Sequence, residues 1–148
     1  MLKKEALKDL VSNLEKWQKI ERIGVRQTAE IQEQTEQPLI QLVMEIIQRD
    51  STLHHRVQQM IIDSLTTEAY TFTPDDLVDV WTAIEKHITL ERKTIELANA
   101  SLAILSKGQG RSYVLQQYLL AYLLADEKKH DMLLDELATI KKGMYPGN

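Results

Sequence analysis

The stretch Phe72-Thr73-Pro74-Asp75-Asp76-Leu77 is the clearest break in this chain, and the division of the rest follows from it. Thr73 is a favoured N-cap residue, and a proline after it suits the first turn of a helix, where its missing N–H is not needed. Acidic residues there complement the helix dipole, and Phe72 and Leu77 are spaced as a hydrophobic staple. We therefore expect a helix to begin at residue 74.

Similar punctuation elsewhere divides the chain into four segments of similar length. The other breaks are the polar run before Pro38, the sequence Gly108-Gln109-Gly110, and Lys141-Lys142-Gly143 followed by Pro146. No segment alternates with the period of a strand. The predicted helices span 3–35, 38–68, 74–106 and 111–142. Since 148 residues suit one domain, we expect a single all-α domain, 1–148, folded as an up-down-up-down antiparallel four-helix bundle.

Apolar residues in each segment recur at spacings of three and four, which indicates one buried stripe per helix. The first two stripes run through Leu7, Leu10, Leu14, Trp17, Glu21, Gly24, Thr28 and Ile31, and through Ile40, Val43, Ile47, Asp50, His54, Val57 and Ile61. Ionisable residues interrupt all four stripes near the middle. These residues are Glu21, Asp50, His54, Glu91, Glu127 and His130.

The interrupting residues are predicted to lie at one height. Antiparallel neighbours place two residues side by side when both are equally far from the turn, and the midpoints between these residues fall within the three predicted breaks. Burying unpaired carboxylates costs on the order of several kcal/mol each unless a partner compensates, and the inner stripes contain no Lys or Arg. A bound cation is the simplest compensation. The alternative is that each charged group lies at the edge of its stripe and reaches water.

The pattern resembles the ferritin-like di-metal carboxylate proteins, and among them the short rubrerythrin-type bundles. Those bundles use one Glu from each of two helices and a Glu-x-x-His from each of the other two. Glu21 and Glu91 match the single glutamates, and Glu127-Lys128-Lys129-His130 matches a complete Glu-x-x-His. The two halves look like repeats, and aligning His54 with His130 places Ser51 where the second such glutamate is expected.

The resemblance implies a metal site made of Glu21, Asp50, His54, Glu91, Glu127 and His130. In the family the missing glutamate would bridge two metals, so the site holds two ions if Asp50 supplies its oxygen, and one ion, or two held unequally, if it does not. Imidazole and carboxylate ligands without thiolate suit Fe or Mn, and Zn is also compatible. His87 is a candidate for orienting Glu91, or is a solvated flank, while His55 should point away from His54.

The family also implies redox chemistry on oxygen or peroxide, with electrons from an external donor protein. An alternative is a non-catalytic bundle whose structural or degenerate metal site serves assembly or partner binding, which Ser51 favours. Iron storage is a third reading, and it would require a closed shell of many subunits. We expect a homo-oligomer, with a dimer as its expected size.

The amino-acid composition restricts the possible kinds of site, partner and cellular location. The chain has no cysteine, which excludes disulfides, thiolate nucleophiles and iron–sulfur clusters and is consistent with the cytoplasm. Its 18 Lys and Arg are interspersed with 22 Asp and Glu, which argues against nucleic-acid binding. The most apolar stretch, Leu119 to Ala125, is far shorter than the ~20 residues that span a bilayer. We therefore expect a cytoplasmic protein without membrane or nucleic-acid partners.

Overall fold

The computed structural model of the chain describes residues 3–67, 73–108 and 113–143. Its four long helices are α1 (Lys4–Glu33), α2 (Pro38–Thr66), α3 (Trp81–Ser106) and α4 (Val114–Lys141), with a short 3₁₀ helix at Pro74–Leu77. These ranges contain no strand, so the prediction of an all-α protein with four helices is confirmed. No helix within them combines the length and apolar character needed to cross a bilayer.

Two of the predicted helix boundaries follow directly from local chemistry. Pro38 is the first residue of α2, and the side chain of Gln37 caps that helix by accepting a hydrogen bond of 2.6 Å from the Leu39 N–H. At the other end of the chain Gly143 has a φ of 76°, a left-handed conformation that glycine adopts without steric cost and that commonly ends helices. The predicted staple residue Phe72, the glycine break at Gly110 and the terminal Pro146 lie outside the described residues.

The predicted start of the third helix at residue 74 is wrong. The expected cap forms, because the Asp76 carboxylate accepts hydrogen bonds from the Thr73 N–H at 2.7 Å and from the Thr73 hydroxyl at 3.0 Å. It closes only the 3₁₀ helix, however, and α3 begins at Trp81. Val78 and Val80, two β-branched residues with weak helix propensity, lie in the turn between them.

The chain divides into two compact units, residues 1–71 and 72–148. In the first unit α1 and α2 form an antiparallel hairpin, as the reversed order of its Glu21–His54 and Val25–Gln48 contacts shows. In the second unit α3 and α4 are antiparallel in the same way, and the 3₁₀ helix packs on α4. Leu77 in that helix is 4% exposed, so it anchors the turn to the hairpin.

The seam between α1 and α2 is more polar than the predicted apolar stripes. Its buried residues are Leu14, Gln18, Glu21, Thr28, Ser51, Gln58 and Ile62. On α2 this line is displaced by one position from the predicted stripe through Asp50, His54 and Val57, which corresponds to a rotation of about 100°. Val57 is consequently 51% exposed, and on α1 Trp17 is 53% exposed. A helix within a hairpin buries the residues facing its one neighbour, and here those residues are largely polar.

Candidate metal centre

Glu91 is the central residue of a ligand cluster in the second hairpin. It lies near the middle of α3, is buried, and presents its Oε2 atom 3.3 Å from Nδ1 of His130 on α4. Glu127, one turn before His130, places its Oε2 atom 3.6 Å from the same nitrogen. One ligand atom from each of these three residues lies within 4.8 Å of the others. This Glu-Glu-His group could hold a metal ion.

Neighbouring side chains fix the orientation of these groups. The Thr94 hydroxyl lies 2.9 Å from Oε2 of Glu127 and 2.7 Å from the Glu91 carbonyl oxygen, so the two oxygens share its proton. His87, one turn before Glu91 on α3, places Nε2 2.8 Å from Oε1 of Glu91. This is the orienting role considered for it from sequence, although its side chain is 55% exposed. One oxygen of each carboxylate is therefore held, by a hydrogen bond in Glu127 and by an ion-pair contact in Glu91.

His130 is held from both sides of its ring. Its Nδ1 atom faces the two glutamates, and its Nε2 atom lies 3.5 Å from Oδ2 of Asp126, one turn earlier on α4. A carboxylate on the second ring nitrogen is the usual way in which a metal-binding histidine is oriented and made more basic. Sequence reasoning did not give Asp126 this role, although its spacing of four residues from His130 is the signal for it.

The charges of the cluster favour a cation. Hydrogen bonding with the Glu127 side chain lowers the pKa of Glu91, and His130 and His87 lower it further, against the opposing effect of burial. Glu91 is therefore a carboxylate at neutral pH. The basic residues next to the ligands in sequence have other acidic partners, since Arg92 pairs with Asp131 at 3.4 Å and Lys129 pairs with Asp126. The negative charge of Glu91 is left for a divalent ion to balance.

The first hairpin repeats half of this arrangement. Oε1 of Glu21 lies 3.3 Å from Nδ1 of His54, the same separation as between Glu91 and His130. No third ligand joins the pair in the part of the chain that the structure describes. Ser51 is buried at the position that matches Glu127, and Gly24 matches Thr94. A Cβ on Gly24 would lie 3.5 Å from Oγ of Ser51, so both members of the Thr–Glu hydrogen bond are replaced by small residues.

The six predicted site residues thus fall into three groups. Glu91, Glu127 and His130 meet in the second hairpin, and Glu21 and His54 meet in the first. Among the described residues Asp50 forms no hydrogen bond or ion pair with Glu21 or His54, and its role as a ligand stays a prediction. Thr94 was not predicted as a functional residue, and its signal was a hydroxyl one turn after a buried glutamate.

Comparisons with models of protein families, with curated proteins and with solved structures give no match. The case for the second hairpin therefore depends on its own geometry. Two carboxylates and one imidazole, without a thiolate, form a donor set that suits Fe, Mn or Zn.

Proposed function

We propose that this chain binds a redox-active divalent metal through Glu91, Glu127 and His130 and uses it in chemistry on oxygen or peroxide. The observation that carries the metal site is the convergence of these three side chains, with ligand atoms within 4.8 Å of one another. Fe or Mn would supply the one-electron steps, with electrons from an external donor protein. The protein's own contribution is to fix the ligands, since Thr94, His87 and the two glutamates already form hydrogen-bonded or ion-paired contacts there.

We also propose that the two hairpins belong to one ferritin-like four-helix bundle. A ferritin-like, up-down-up-down bundle would bury apolar side chains that remain exposed on each hairpin, such as Trp17 at 53%, Val57 at 51% and Leu123 at 47%. Exposed apolar surface of this kind favours further packing. We also propose a second, weaker ion at Glu21 and His54, a homodimer, and a cytoplasmic location.

A second candidate is a metal site that is structural or degenerate and serves assembly or partner binding. It is favoured by the first hairpin, where Ser51 and Gly24 replace the residues that match Glu127 and Thr94. In a di-metal protein, two-electron chemistry on peroxide requires both metals. A site with only one complete half would bind one ion and would lack the second. The two candidates agree on the ligands and differ in the chemistry.

One experiment separates them. The full chain is purified without added metal, its metal content is measured by elemental analysis, and it is titrated anaerobically with Fe(II) and Mn(II). We expect stoichiometric binding that is lost in Glu91→Gln and kept in Glu96→Gln, an exposed glutamate on the same helix. The Fe(II)-loaded protein is then mixed with peroxide. Rapid oxidation by the parent supports the redox function, whereas tight binding with oxidation no faster than that of free Fe(II) supports the structural alternative. Equal binding by both variants would contradict both candidates.

A further inference from the structure

The first hairpin has an open cavity of about 510 Å³ beside Glu21, between α1 and α2. Its polar lining consists of Glu21, Arg22, Ser51, Thr52, His55 and Arg56. The small size of Ser51 contributes to this space, because the matching residue of the second hairpin is Glu127. Glu21 is the acidic residue of this lining, and its Oε1 atom lies 3.3 Å from Nδ1 of His54. Arg22 and Arg56 are the two arginines of the lining.

The two arginines at this cavity differ from the other arginines of the described chain. Arg26, Arg49 and Arg92 each lie within 4.0 Å of a carboxylate. Arg22 and Arg56 have no such partner among the described residues. Nη1 of Arg22 instead lies 3.1 Å from Nε2 of His55. Because a guanidinium group only donates hydrogen bonds, Nε2 of His55 must be the acceptor, and the ring brings no negative charge.

The second hairpin contains acidic partners for its arginine that the first hairpin lacks. Its matching arginine, Arg92, lies 3.4 Å from Asp131 and 3.4 Å from Asp135. In the alignment that pairs His54 with His130, these two positions hold His55 and Gln59, and Met132 is matched by Arg56. The first hairpin has therefore lost the two aspartates that neutralise this arginine and has gained a second guanidinium group. The change in charge lies at the cavity.

We infer that this cavity binds a small oxyanion, a carboxylate or a phosphate. Guanidinium groups are always charged and match the geometry of both anions with paired N–H donors. The anion would lie between Arg22 and Arg56, away from Glu21, and take the place of the carboxylates of Asp131 and Asp135. The Ser51 hydroxyl is close enough to the cavity to add a further donor. This inference does not depend on metal binding by the second hairpin.

The test uses the full-length ¹⁵N-labelled protein, titrated with inorganic phosphate in one series and with acetate in another. Chloride at the same ionic strength and pH is the reference. We expect saturable shifts of the amide signals of residues 51–56, and the anion that gives the tighter binding identifies the source of the ligand. Arg56→Gln should weaken binding at least tenfold. Arg26→Gln, which removes an arginine of α1 that pairs with Glu30, should change it less than twofold.

A second variant keeps the test valid if Arg56→Gln perturbs the fold. His55→Asp gives Arg22 an internal carboxylate, as Asp131 does for Arg92, so the hairpin should stay folded while anion binding falls at least tenfold. Far-UV circular dichroism checks the fold of each variant. The inference is overturned if phosphate and acetate act no differently from chloride, or if Arg26→Gln and His55→Asp have equal effects.

Discussion

Nδ1 of His130 lies 3.3 Å from Oε2 of Glu91, across the two helices of the second hairpin. The first hairpin forms the same contact at the same distance between His54 and Glu21. At the metal ligands the two hairpins differ in the third residue, which is Glu127 in one and Ser51 in the other. Most of the differences in metal binding that we expect follow from that single position.

Loss of Glu127 should remove most metal binding. Glu127→Gln keeps the size of the side chain and an oxygen that can accept from Thr94, but it removes the charge and one ligand of the ion. We expect affinity for Mn(II) to fall by more than about 100-fold, the upper end of what losing a ligand's hydrogen-bond partner costs. Glu136→Gln, at an exposed position of α4, is the control. Unchanged affinity in Glu127→Gln would remove this residue from the site.

Thr94 should act on the metal only through Glu127. Thr94→Val keeps the shape of the side chain and removes the hydroxyl that lies 2.9 Å from the Glu127 carboxylate. A drop in metal affinity of about tenfold is expected for the loss of such an orienting group. Thr89→Val removes an exposed hydroxyl that bonds only the helix backbone at Glu85, and isothermal titration should find it unchanged. Equal affinities in the two variants would contradict the orienting role.

Restoring a glutamate in the first hairpin should create a second full site. Ser51→Glu places a carboxylate one turn before His54, as Glu127 is placed before His130, and Ser51 lines an open cavity of about 510 Å³. We expect occupancy measured by elemental analysis to rise toward two ions per chain. Thr52→Glu adds the same charge at the next, exposed position and should not raise it. If the parent already binds two ions equally and Ser51→Glu adds nothing, Asp50 or an outside ligand completes the site.

A bound ion should stabilise the protein, and chelation should reverse the effect. Mass action gives about 2.7 kcal/mol when free metal is 100 times the dissociation constant. Metal binding requires deprotonated ligands, so the gain should fade as the pH falls into the acid range. The lowered pKa of Glu91 keeps its carboxylate charged further into acid than an ordinary glutamate. Melting curves with and without chelator, recorded from neutral to acidic pH, measure this. Curves that coincide at neutral pH would contradict it.

Gln58 should lower the stability of the first hairpin. Its side chain is 3% exposed, and neither its amide nitrogen nor its oxygen has a hydrogen-bond partner among the residues that the structure describes. The matching residue of the second hairpin is Leu134. Gln58→Leu should therefore raise the free energy of unfolding by about 1–3 kcal/mol, the usual cost of leaving a buried polar group unsatisfied. Gln59→Leu removes one of the two acceptors of the Gln18 amide, the other being the His55 carbonyl. It should lower the free energy of unfolding, and denaturant unfolding compares the two variants.

The sequence predicted the helices well where a residue has one strong local preference. Pro38 begins a helix because its φ angle is restricted to helical values. Gly143 follows the end of a helix because glycine adopts a left-handed conformation without steric cost. The capping residues Thr73 and Asp76 were less informative, because the same hydrogen bonds can close a 3₁₀ turn or start an α-helix. Which of the two forms depends on the residues that follow.

The site in the second hairpin was predictable from the sequence. Glu127 and His130 are three residues apart, which places them on one face of a helix, and Glu91 is about equally far from the turn on the neighbouring helix. The packing face of α2 was predicted wrongly, because the more apolar stripe is not the one that packs. The predicted stripe holds Ile40, Val43, Ile47, Val57 and Ile61, whereas the line one residue along holds Gln41, Gln48, Ser51 and Gln58. Packing against α1 buries the polar line through Ser51 and Gln58, which hydrophobic periodicity does not predict.

The placement of the two tryptophans has a practical consequence. Trp17 lies on α1, and Trp81 begins α3, so each hairpin carries one of the two indoles of the chain. Trp17 is half exposed, while the indole N–H of Trp81 donates to Glu85 at 2.8 Å. Replacing either by phenylalanine leaves a protein whose fluorescence reports on one hairpin only. Emission spectra can then show whether iron quenches the second hairpin first, and whether the two hairpins melt together or in sequence.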